Sequence, residues 1–149
     1  MSEDYHYTGC GLDNVWLRNG YRLVADVYGE SVHIEDLPGL HRAIAQLVLA
    51  KPAPLTGSEV RFLRIEMDLS QKALGVLLGK RAQTVALWEK GRARVPSAAD
   101  FLLRHIYKQA IGQRSVYVDE VERLRALDQI DHERSLVLQE SREGWQAAA

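Results

Sequence analysis

Gln83 and Leu87 stand four residues apart, one turn of a helix, with Arg81 and Ala82 just ahead of them. On one helix face this set offers an amide that can pair bidentately with adenine and an aliphatic group that can meet a thymine methyl. It also offers a small residue that permits close approach. Around them in sequence, Gln71, Lys72, Thr84, Lys90, Arg92 and Arg94 carry donors suited to phosphate oxygens, contacts that position a protein without carrying base information. The chemistry these residues can do is noncovalent recognition of duplex DNA. Gln83 and Leu87 are the candidate base readers, and Arg81 can serve a base or a phosphate. The competing interpretation is an ordinary helical hairpin whose Gln and Arg side chains are merely solvated. Glu89, next to them, fits a structural partner for a nearby Arg better than an acid catalyst.

Such a surface has to be held by short helices, and the apolar spacing supplies them. Val60, Leu63, Ile65 and Met67 mark a first helix, Ala73, Leu74, Leu77 and Leu78 a second, and Val85 with Trp88 a third. Thr56-Gly57-Ser58-Glu59 reads as a capping box that starts the first helix, because the Thr hydroxyl and Glu carboxylate can satisfy amides left unpaired by the first turn. Asp68 or Ser70 caps the second, and Gly79 provides the permissive backbone of a tight turn into the third. Val85 and Trp88, three apart, face inward, which turns Gln83 and Leu87 outward.

The segment LSQKALGVLLGKRAQTVALWEKGRARVP resembles the XRE-type, lambda-repressor-like helix-turn-helix family of DNA-binding regulators, over roughly Leu55 to Gln109. The resemblance implies that Gln71, in the second helix, contacts phosphate. It also implies that Ala82, Gln83 and Leu87, at the start of the reading helix and one turn later, meet base edges. A polar side chain often stands where this chain has Ala82, so readout would lean on Gln83, Arg81 and DNA shape. The wider layout, a small β-rich unit and a helix ahead of such a domain, is similar to that of MqsA-type antitoxins. Those carry paired CxxC zinc ligands, whereas this chain has the single Cys10, so a four-thiolate site within one chain is ruled out. His6, Cys10, His33 and His41 match no closed structural-zinc spacing, and no metal or cofactor is expected.

The net charge of −1 over 149 residues hides a segregation. Thr56 to Gln109 holds ten Lys or Arg against five Asp or Glu, net +5, while residues 1–55 and 110–149 each sum to −3. A basic field localised on the motif is enough for phosphate engagement, and affinity should fall steeply with salt. With 46% hydrophobic residues the chain can fill a globular core. The longest apolar run, Ala43 to Ala50, is interrupted by Gln46 and too short for a membrane span. The acidic Met1-Ser2-Glu3-Asp4 lacks the features of a secretory signal, and a single cysteine agrees with a reducing compartment. A cytoplasmic location is the expectation.

Flanking segments read differently. Residues 5–36 alternate aromatic and β-branched residues with Gly and Asn, which predicts short strands in one small antiparallel sheet, with a hairpin at Asn19-Gly20 and a second reversal at Tyr28-Gly29-Glu30. A helix is predicted over Leu40 to Leu49, ended by Lys51-Pro52-Ala53-Pro54 as a short stiff linker. Beyond the motif, Pro96 to Tyr107 predicts a helix bracing the reading helix from behind. Tyr117 to Leu127 predicts another, and His132 to Trp145 a last one that frays. The fold class is thus α+β: a β-rich unit with one helix (1–52), an all-α helix-turn-helix domain (55–110) and a C-terminal helical extension (111–149).

The predicted function is that of a transcriptional regulator acting by occupancy, most simply a repressor on a palindromic operator. One reading helix covers few base pairs, so a homodimer spanning half-sites about 34 Å apart is expected. The alternative is an antitoxin that grips a toxin partner and represses their shared promoter. The sequence shows no Gly-rich phosphate loop, metal cluster or nucleophile with a recognisable base, so an enzyme is not expected. Cys10 with His41 is a weak thiol-imidazole candidate. Helical periodicity leaves open whether the C-terminal segment completes its own core, dimerises or meets a partner.

Overall fold

The computed structural model describes residues 4–112 and 138–148. The elements follow in the order β1 (Tyr5–His6), β2 (Trp16–Leu17), β3 (Tyr21–Asp26), β4 (Gly29–Ile34), α1 (Leu37–Ala50), α2 (Gly57–Glu66), α3 (Gln71–Leu78), α4 (Ala82–Glu89), α5 (Ser97–Gly112), β5 (Leu138–Ser141) and β6 (Gly144–Ala147). The chain is mixed α+β, with five helices and three two-stranded antiparallel sheets among the described residues.

The N-terminal strands do not form the single sheet expected of them. β1 pairs with β2, and β3 pairs with β4, as two separate ribbons. Asn19-Gly20 is not a hairpin turn but the link between β2 and β3, which belong to different ribbons. Gly20 takes φ 79 there, and its carbonyl accepts from the Glu35 amide at 2.8 Å. The second expected reversal is present, one residue ahead of Tyr28-Gly29-Glu30, at Val27-Tyr28, where the Asp26 carboxylate accepts from the Tyr28 amide at 2.8 Å. Turn chemistry dictates where a chain can reverse; it does not select which strand the chain then pairs with.

α1 begins at Leu37, ahead of the expected Leu40. Asp36, at φ 46, accepts from the Gly39 amide at 3.2 Å and supplies a cap, with Pro38 in the first turn where a missing amide costs little. At its other end the backbone turns extended at Lys51. The Pro-rich segment that follows is clamped: Arg104, on α5, donates to the carbonyls of Leu49 (3.1 Å), Lys51 (2.8 Å) and Ala53 (2.9 Å). Asp100 holds that guanidinium at 2.6 Å and also accepts from the Leu55 amide at 2.6 Å. Buried residues from Tyr7 through Leu49, Leu63, Leu74 and Trp88 to Tyr107 form one hydrophobic cluster.

Thr56 and Glu59 form the capping box of α2, with both reciprocal bonds made. Ile65 departs from expectation: it is half exposed, because the inward stripe of α2 runs through Val60, Leu63 and Met67 and Ile65 falls off it. Ser70, not Asp68, caps α3, accepting from the Ala73 amide at 3.0 Å, while Asp68 takes φ 55 in the turn between α2 and α3. α5 makes its main contact within the helix pair with α3 rather than with α4. Among the described residues, no helix is long and apolar enough to cross a membrane.

Beyond α5 the helix expected over Tyr117 to Leu127 lies outside the described residues. The described part of the other, Leu138 to Trp145, is not helical but the β5–β6 hairpin. Local turn chemistry wins over the apolar spacing: Gly144 takes φ 104, and the Ser141 hydroxyl accepts from the Glu143 amide at 3.2 Å and donates to the Gly144 carbonyl at 3.3 Å. The Leu138 and Trp145 side chains are exposed.

A polar chain ties three elements together. Tyr7 Oη lies 2.7 Å from His41 Nε2, and His41 Nδ1 lies 2.7 Å from Glu66 Oε1, linking the segment after β1 to α1 and α2. Burial raises the Tyr7 hydroxyl above its ordinary value of 10.0, with Cys10 and Glu66 adding to the effect. Burial likewise raises Tyr107, helped by Glu66 and opposed by Arg42. Both groups are held neutral more strongly in the folded state than in the unfolded one. Their contribution to stability is present below the unfolded pKa and lost as pH rises through the folded values. Urea titrations from pH 8 upward should show stability falling from about pH 10, with a shallower fall for Tyr7→Phe. An unchanged alkaline slope in that variant would remove Tyr7 from the account.

Candidate nucleic-acid interface

α3 and α4 form a tight helical pair because two glycines let the backbone fold onto itself. Gly79 ends α3 at φ 69, a left-handed conformation that disfavours other residues. The Lys80 amide then donates back to the Gly75 carbonyl at 2.7 Å. A Cβ on Gly75 would sit 2.6 Å from the Lys80 carbonyl oxygen, so the turn can press onto α3 only because that side chain is absent. Gly75 was not singled out from sequence. Its signal, a glycine inside a helix at a cost in propensity, is the usual mark of a close packing contact.

α4 opens at Arg81, whose extended backbone caps the helix with no side-chain bond, leaving the guanidinium exposed. Val85 and Trp88 bury one side against the core. On the opposite side Gln83 is exposed, Leu87 is 43% exposed, and Ala86 lies half buried between them. Ala82 and Thr84 flank this face, each half buried. Lys72, near the start of α3, and Lys90, Arg92 and Arg94, in the loop leaving α4, are exposed.

Glu89 fixes how this face is presented. Its carboxylate takes both arms of the Arg64 guanidinium, at 2.7 and 2.8 Å, and the amide of Gln71 at 3.2 Å. Arg64 also donates to the Leu69 carbonyl at 2.9 Å. One nearly buried carboxylate thus joins α2, the α2–α3 turn, α3 and α4. Gln71 is therefore partly committed: one N–H is held by Glu89, and only the second remains for a phosphate.

The acids of this segment turn inward and most of its cations outward. Glu59 pairs with Lys51, Glu66 with His41, Glu89 with Arg64 and Asp100 with Arg104. Asp68 is the exception. Lys72, Lys80, Arg81, Lys90, Arg92 and Arg94 are all exposed, so the charge presented around α3 and α4 is mostly basic.

No family model, curated protein or solved structure matches this chain.

The four residues weighed as mixed metal ligands have other partners or settings. His6 stacks on Trp16 and bonds the Asp13 carbonyl, His33 lies 3.4 Å from Glu35, and His41 is held by Tyr7 and Glu66. Among the described residues, no group of three or more His, Cys, Asp or Glu is gathered to hold a metal ion. Both His41 nitrogens are engaged, so the imidazole is not placed as a base for the half-buried Cys10 thiol.

Proposed function

We propose that this protein is a sequence-specific, double-stranded DNA-binding transcriptional regulator, acting as a homodimeric repressor that reads a palindromic operator through the major groove. The observation that carries this reading is the outer side of α4. Gln83 and Leu87 share it with small Ala86, at the centre of a rim of exposed cations, while Glu89 and Asp100 are paired with arginines inside the fold. Gln83 and Leu87 serve as base readers with Ala82 and Arg81 beside them. Gln71, Lys72, Thr84, Lys90, Arg92 and Arg94 hold phosphates.

Selection of bound fragments from a randomised duplex library, at physiological salt, tests the reading. An enriched inverted repeat with half-sites about one helical turn apart supports it. Weak, salt-sensitive retention without enrichment overturns it. On the enriched site, Gln83→Ala should cost about 1–3 kcal/mol and relax preference at one position, while Arg92→Ala should weaken all sequences and lower the salt slope by about 1. Equal losses on specific and random DNA for Gln83→Ala would remove it as a base reader.

A further inference from the structure

The outer part of the β3–β4 ribbon is left without cover. The ribbon's base residues Tyr21 and Ile34 are half buried against the body. Farther out, Leu23 is 61% exposed, and the turn residues Val27 and Tyr28 are almost wholly exposed. Neither of its edges pairs with another strand among the described residues. A lone two-stranded ribbon with apolar residues facing water is marginal by itself, and an unpaired edge is a template for another strand.

The register shows which groups that edge offers. Gly20 and Glu35 are a hydrogen-bonded pair, and pairs alternate along an antiparallel ladder, so Arg22, Val24 and Asp26 turn their amides and carbonyls toward β4. Leu23 and Ala25 turn theirs outward. We infer that two copies of this chain join by antiparallel pairing of β3 with β3 about a two-fold axis at Val24, making a four-stranded sheet. This rests on the homodimer in the proposed function and assigns it a surface.

Two independent features select that register. Centring on Val24 sets Leu23 opposite Ala25 of the second copy, which lets the outward backbone groups of both exchange hydrogen bonds. The same centring sets Arg22 opposite Asp26 of the second copy, twice by symmetry, on the face that carries Val24. Asp26 keeps one carboxylate oxygen for the Tyr28 amide and has the other for Arg22. The β4 edge offers no such match. Its charge-bearing residues, Glu30 and His33, point to opposite faces, so no register of β4 on itself can oppose them.

Val24 would then face itself in a non-hydrogen-bonded pair, with Cα atoms about 4.5 Å apart, close enough for a disulfide. In a Cys10→Ser background, Val24→Cys should cross-link nearly completely under mild oxidation, and Glu30→Cys, on the other edge, should not. Arg22→Asp and Asp26→Arg should each weaken self-association by about ten-fold or more, because each replaces two attractive contacts by two repulsive ones. Mixing these two variants should restore dimers as heterodimers in sedimentation velocity runs. That recovery guards against damage to the turn, since Asp26→Arg also loses the Tyr28 contact. Equal cross-linking at 24 and 30, or no heterodimer on mixing, overturns the interface. None of these measurements contains DNA. A cross-linked dimer that enriches no operator would sink only the DNA reading, and an enriched inverted repeat with an unlinked Val24→Cys protein would sink only this interface.

Discussion

Glu89→Ala will lower the unfolding free energy by about 3–5 kcal/mol, because it strands the Arg64 guanidinium in a site built for a carboxylate. The Glu89 side chain is 4% exposed and that of Arg64 14%, so water can do little to replace the lost partner. The same change frees Gln71 and unties α4 from α2 and α3, so DNA affinity should fall although no proposed DNA contact has been removed. Urea denaturation of Glu89→Ala, Arg64→Met and the double variant checks the argument. The double variant should lose less than the two single losses added, since neither charge is then left alone. A Glu89→Ala loss below about 1 kcal/mol would show that the pair is screened like a surface ion pair, contrary to its burial.

Gly57→Ala should destabilise the protein where helix propensity predicts the reverse. At an unconstrained helix position the exchange would gain about 0.4–1 kcal/mol. Here a Cβ on Gly57 would overlap the Trp88 carbonyl oxygen and crowd the Glu89 Cα, both backbone atoms of the reading helix. The start of α2 rests directly on the end of α4, and one of them has to move. A loss of about 3 kcal/mol, at the upper end of overpacking costs, is expected. Trp88 should report the shift, since Trp16 and Trp145 are largely exposed and Trp88 is buried. Its contribution to the fluorescence should move toward longer wavelength. An unchanged or raised stability would mean that α4 yields at no cost, and that its placement does not depend on this contact.

Several features of the helix-turn-helix segment were legible without coordinates because local chemistry encodes them. The Thr56–Glu59 box, the left-handed Gly79 and the inward pair Val85 and Trp88 each follow from residue type and spacing within a few positions, while the choice of Ser70 over Asp68 as the α3 cap came from the structure. The assignment of Glu89 to a nearby Arg was open to the same reasoning. Ile65 failed because an apolar residue at the edge of a stripe carries no mark of which side it takes. The Leu138–Ala147 hairpin was missed because its Leu and Trp fit a helical spacing as well as a strand. Only Gly144 and Ser141 signalled the turn.

The sequence by itself determined the capping box of α2, the turn between α3 and α4, the inward and outward sides of α4, and the surplus of cations between Thr56 and Gln109. Each is decided by neighbours one helical turn away. Tertiary structure alone decided that the N-terminal strands form two separate ribbons, that Arg104 clamps the Pro-rich segment, that acids of α2, α4 and α5 are spent on internal partners, and that Gly57 and Gly75 must lack a side chain. These contacts join residues tens of positions apart or set one backbone against another. No periodicity or propensity along the chain records which distant surface a residue will meet.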